Sequence, residues 1–194
     1  MIKVGFIGYG SMGSVLLNEF IASKGLTPDE IIVSTGTKAE LETIKAKWEQ
    51  INIAGDNIEV VKNAKYIFVC VQQPELKNIL DELRIYLTSL TNIISLAGVV
   101  SLHDIEEITP GKVTKITPGI TAAVQSGITL VCHNKKVTKA EADFIESLFG
   151  KVSTVKILKE EDFDCDESLG SNDLRAFCAE LKPKGKNGNK INYD

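Results

Sequence analysis

Residues that carry chemistry are scarce here, and each scarcity removes a class of function. Histidine occurs only at His103 and His133, and neither has a cysteine or carboxylate at ligand spacing. Structural or surface roles are therefore expected for both, despite the aptitude of imidazole for acid–base work. The four cysteines, Cys70, Cys132, Cys165 and Cys178, lie far apart and never as C-x-x-C. Neither a zinc site nor a dithiol redox pair is suggested, and buried or incidental thiols are expected. No apolar run approaches the ~20 residues of a membrane helix. The apolar start is broken by Lys3 and three glycines, with no small-residue cleavage site after it, so no signal peptide and a cytoplasmic location are expected. A net charge of −4 and a pI near 5.3 leave no basic face for nucleic acid. The acidic run Glu160, Glu161, Asp162, Asp164, Asp166, Glu167 imitates the opening of an EF-hand loop. Its sixth position is Glu167 where the sharp turn needs glycine, and its twelfth is Asp173 where the loop needs Glu, so it reads as a solvated linker without metal.

What is present is concentrated at the start, MIKVGFIGYGSMG. Ile2, Val4, Phe6 and Ile7 suit a strand buried on both faces, and the glycines Gly8, Gly10 and Gly13 follow it at once as G-x-G-x-x-G. Gly8 permits a sharp turn, Gly10 lets backbone approach a pyrophosphate, and Gly13 lets the next helix pack closely. That helix, expected over 11–24, carries Met12, Val15, Leu16 and Phe20 at helical spacing, and a second strand is expected at 31–33. Glycine turns alone are weak evidence; a strand before and a helix after strengthen this one.

The alternation continues. Helices are expected at 38–50, from Pro74 to about Leu87, at 102–108 with Ser101 as N-cap, and from Thr138 to Phe149 behind a Thr138/Glu141 capping box. Strands are expected at 58–61, 66–71, 92–96, 113–117, 128–133 and 152–157, with 52–57 a loop. This pattern predicts an α/β fold, a doubly wound Rossmann-type and mostly parallel sheet. A dinucleotide-binding domain would span 1–158. An acidic linker, a short helix and a disordered tail, the remnant of a second domain, would fill 159–194. Ligand should then meet the loops at the carboxyl ends of strands, at 8–13, 34–38, 71–74, 97–99 and 117–122. The cofactor-binding candidates are Gly8, Tyr9, Gly10, Ser11, Met12, Gly13, Val71, Gln72, Gln73, Pro74, Ala97 and Gly98, joined by a second group after strand two. There no acid precedes Glu40, and Ser34, Thr35, Thr37 and Lys38 supply donors and a cation suited to the 2′-phosphate of NADP(H). Thr37 serves equally well as a helix cap.

The strings GFIGYGSMG, VCVQQPEL, IISLAGVVSLHDIE, KITPGITAAVQSGIT and VTKAEADFIESLFG, in that order, resemble pyrroline-5-carboxylate reductases over residues 1–164. The resemblance implies NADPH-dependent reduction of the cyclic imine 1-pyrroline-5-carboxylate to proline. It also implies a helical carboxy-terminal domain that makes the dimer and completes the substrate pocket. Pro118 and Gly119 are the substrate-binding candidates it implies, and it points to no catalytic residue. Where the family has a Val-Lys-Pro-Gln-type loop, this chain has Val71, Gln72, Gln73 and Pro74. Gly119 stands for a family Asn, and Glu167 for a Thr. Two classes stay open: an imine or carbonyl reductase, and an NADP-binding module without turnover. Past Asp173, Leu174, Phe177, Cys178 and Leu181 form an apolar stripe expected to fold back on the sheet or to make a homodimer contact. Residues 182–194 have almost nothing to bury.

Overall fold

The computed structural model describes residues 2–98, 100–119 and 127–160; the expectations for 161–194, the linker acids after Glu160 and the apolar stripe among them, lie outside the described residues, while Glu160 itself accepts from Leu102 N at 2.6 Å instead of standing free in solvent. Strands β1 (Val4–Ile7), β2 (Ile31–Ser34), β3 (Asn52–Ile53), β4 (Tyr66–Val69), β5 (Asn92–Ser95), β6 (Lys112–Thr117), β7 (Ile128–His133) and β8 (Thr154–Ile157) form one sheet. Their spatial order is β3-β2-β1-β4-β5-β6-β7-β8. All neighbours are parallel except β6 and β7, which run antiparallel. Among the described residues six α-helices join them, α1 (Ser11–Ala22), α2 (Lys38–Lys47), α3 (Asn57–Asn63), α4 (Gln73–Leu83), α5 (Leu102–Ile108) and α6 (Lys139–Gly150), with a short 3-10 turn at Pro28–Glu30 before β2.

Strands as apolar as β1 and β4 demand cover on both faces, and they receive it. On one face α1, α2 and α6 bury Leu16, Leu17, Phe20, Ile44, Ile145 and Phe149 against Phe6, Phe68 and Ile94. The rings of Phe6 and Phe68 stack with centroids 5.0 Å apart, and Phe20 meets Phe149 edge-on at 5.1 Å. On the other face α3, α4 and α5 bury Val60, Leu76, Leu80 and Ile105 against Ile7, Ile67 and Val113. Strand order reverses between β1 and β4, so the crevice for a ligand opens at their carboxyl ends.

Two expectations change. Residues 58–61, expected as a strand, lie inside helix α3, and the third strand is the pair Asn52–Ile53 in what was expected to be a loop. The β-branched run Ile58, Val60, Val61 invites a strand reading, but the Asp56 carboxylate accepts from Glu59 N at 2.7 Å and caps a helix there. That helix sets Val60 and Val61 onto the sheet, and packing overrides propensity. In α1 the inward residues are Gly13, Leu16, Leu17 and Phe20; Met12 is 36% exposed because its side chain stands at the mouth of the crevice. The other differences are of one to four residues at element ends. The Thr138/Glu141 capping box forms as its spacing predicts, and the Ser101 N-cap forms a capping box with Asp104.

Candidate functional site

The glycine turn begins where β1 ends. Gly8 has φ +91°, a left-handed conformation that favours glycine, and a Cβ there would sit 2.7 Å from the Cys70 carbonyl oxygen. A Cβ on Gly13 would lie 2.5 Å from the Gly8 carbonyl oxygen, so α1 can approach the turn only because residue 13 has no side chain. Gly10 differs from both: a Cβ built on it meets no protein atom within 4 Å. Its face is open to the crevice.

Gly10 is also the N-cap of α1, and no side chain caps that helix, nor is there an acid in its first turn. Thr37, Asp56 and Ser101 cap α2, α3 and α5 with side-chain oxygens. The uncapped, positive end of α1 therefore faces a cleft of about 270 Å³. Gly10, Ser11 and Met12 form one wall of this cleft, Cys70, Val71 and Gln72 a second, and Leu96 with Pro118 the far side.

Of the residues expected here, Gly10, Ser11, Met12, Val71, Gln72 and Pro118 come together, and Gly8 and Gly13 shape the turn beneath them. Tyr9 is buried in the core cluster. Burial pushes its phenol pKa up, a hydrogen bond with Asn18 pulls the other way, and the nearby Glu40 carboxylate adds to the rise. Gln73 and Pro74 stand exposed in the first turn of α4, and Gln73 lines a separate groove between α4 and α5. Ala97 and Gly98 follow β5 half-buried, outside the cleft lining; Val99 and 120–122 are outside the described residues. Gly119 turns against β7, where a Cβ would fall 2.0 Å from the Ile128 carbonyl oxygen. Backbone crowding, which spacing does not reveal, excludes the family asparagine from this conformation.

Cys70 and Leu96 line the cleft without having been expected there. Each is the residue that follows a strand, one step before the loops at 71–74 and 97–99. Burial pushes the Cys70 thiol up to about 12, which keeps it protonated and unreactive.

The segment after β2 is arranged differently from the expectation. Ser34 is 3% exposed and donates its hydroxyl to Asn57 Oδ1 at 2.5 Å, so it faces the interior instead of a ligand. Thr37 accepts from Glu40 N at 3.3 Å as the α2 cap, while Lys38 is exposed. Thr35 donates its hydroxyl to Glu40 Oε2. An acid does stand beside the end of β2, delivered by the first turn of α2. Spacing from the strand hid it, because the contact depends on how the helix starts.

Among the described residues no three His, Cys, Asp or Glu side chains cluster as metal ligands, and no helix is long and apolar enough to cross a membrane.

Residues 3–98 match the family of coenzyme F420-dependent NADP oxidoreductases. The chain is 26% identical over 161 residues to the pyrroline-5-carboxylate reductase of Methanobrevibacter smithii, covering 81% of this chain and 63% of that protein. The pyrroline-5-carboxylate reductase of Coxiella burnetii superposes with TM-score 0.80 at 26% identity, over 92% of this chain and 67% of that one. The Plasmodium falciparum enzyme, whose structure holds NADP, superposes with TM-score 0.76 at 22% identity, over 93% of this chain and 66% of that one. The chain thus spans less than two thirds of the length of the curated relatives it matches first. By sequence and fold together, the chain is similar to pyrroline-5-carboxylate reductases over most of its length.

Proposed function

We propose that this chain binds NADPH in the cleft at the carboxyl ends of β1 and β4, as the cofactor-holding part of an enzyme that reduces 1-pyrroline-5-carboxylate to proline. One observation carries the reading: the open face of Gly10 at the uncapped terminus of a twelve-residue helix. Free N–H groups, a positive helix end and no intervening Cβ suit a pyrophosphate. When bound, the reduced nicotinamide supplies the hydride that the imine carbon accepts. Met12, Val71, Leu96 and Pro118 give the cleft apolar walls that exclude water around that transfer. The free thiols of Cys70 and Cys132 fit a reducing, cytoplasmic setting.

The imine nitrogen must gain a proton as its carbon is reduced. Among the described residues no side chain lining the cleft titrates near neutrality, because Cys70 is the one ionisable residue of that lining and its thiol is held protonated. The described walls also offer no cation for the substrate carboxylate. A helical half, from a second copy in a homodimer or from further chain, would supply what these walls do not. Purified as these 194 residues, the protein should bind NADPH, seen as a change in nicotinamide fluorescence. It should turn over 1-pyrroline-5-carboxylate far below the ordinary enzyme range of about 1–10³ s⁻¹. Absence of NADPH binding overturns the reading; turnover in that range shows that this chain completes the pocket unaided.

A further inference from the structure

We propose that Glu40 is a specificity-determining residue that restrains the preference of this cleft for NADPH over NADH; the inference rests on the cofactor reading above. In dinucleotide-binding folds, the space beyond the end of the second strand receives the adenosine ribose. A carboxylate there accepts from a 2′-hydroxyl, whereas a 2′-phosphate needs donors and cations. This chain puts both kinds of group in one turn. Lys38 is exposed at the start of α2, and Glu40 lies two residues later.

Glu40 does not point away along its helix. Its Oε2 takes the Thr35 hydroxyl, its backbone N–H is fixed by Thr37 Oγ1 at 3.3 Å, and its field reaches Tyr9 in the glycine turn. The carboxylate is thereby held between the end of β2 and the turn that follows β1, behind the glycine wall of the crevice. The hydrogen bonds from Thr35 and then Thr37 hold its pKa below the usual carboxylate range, so the charge is present at neutral pH. Of the candidate hydroxyl donors, Ser34 is committed to Asn57 and Thr35 to Glu40 itself. A 2′-phosphate of charge about −2 would thus meet one lysine and one carboxylate, and repulsion from the second cancels part of the attraction of the first.

The test is calorimetric titration of the full chain with NADPH and with NADH, before and after Glu40→Gln. The amide keeps an acceptor for Thr35 and removes only the charge. NADPH should bind about tenfold tighter to the variant and NADH two- to threefold weaker, with the gain for NADPH shrinking as salt is raised. Thr35→Val, which frees the carboxylate from the strand end, should move the ratio the same way by a smaller factor and serves if Glu40→Gln fails to fold. A ratio unchanged within twofold in a folded variant, with both nucleotides bound, overturns the role of Glu40 and leaves the cofactor reading standing. Failure of NADPH to bind any form overturns both.

Discussion

Gly10→Val should give a folded protein that has lost about a hundredfold or more in affinity for NADPH. The two halves of that expectation have separate causes. The fold should survive because a Cβ at residue 10 meets no protein atom within 4 Å and because φ −63°, ψ −165° is open to any residue. An apolar N-cap in place of glycine costs about 1 kcal/mol at most. Binding should fail because an isopropyl group fills the space through which a pyrophosphate reaches the N–H groups of α1. Gly13→Ala makes the contrast: its Cβ would be 2.5 Å from the Gly8 carbonyl oxygen, backbone against backbone, so stability should fall first. Thermal melts with calorimetric titration separate the two variants. A Gly10→Val protein that binds normally would remove the glycine turn from the site.

Glu141→Gln should destabilise the fold by about 3 kcal/mol. The side chain is 4% exposed, with Lys65 and Lys112 ammonium groups both 2.7 Å from Oε1. Thr138 donates its backbone N–H at 3.0 Å and its hydroxyl at 2.7 Å to Oε2. Burial alone would raise the carboxyl pKa; the hydrogen bonds from Lys112, Lys65 and Thr138 outweigh it and bring the value to about 2. Because the folded pKa lies below the unfolded one, this stabilisation is complete above about pH 4.5 and is lost as pH falls toward about 2. The neutral amide leaves two lysines facing a group without charge, and for a chain of this size the melting temperature should drop by roughly 6–12 °C. Urea unfolding at pH 7 and pH 3 checks it. The variant should lose less stability than the parent between those values, and an identical loss would contradict the assignment.

How much of this was legible beforehand depended on whether the cause was local. Val4 and Phe6 next to Gly8, Gly10 and Gly13 announce a strand, a turn and a helix start within thirteen residues, and the structure has all three. The Ser101/Asp104 and Thr138/Glu141 spacings also act within one helical turn. Residues 57–63 misled because Val60 and Val61 favour a strand alone and form a helix only when capped by Asp56 and packed on the sheet. Glu40 beside Thr35, and Gly119 against Ile128, arise from contacts between segments, which periodicity does not encode. The crevice was therefore legible, but the charges that tune it were not.

Amide hydrogen exchange of the full chain with and without saturating NADPH tests the central claim most directly, since it reports where the nucleotide sits and needs no turnover. The N–H groups of Ser11, Met12 and Gly13 and those around Val71 and Gln72 should exchange more slowly when NADPH is present, while α5 and α6 stay unchanged. Tight binding without slowing at the glycine turn, or slowing confined to another face of the sheet, would contradict the account.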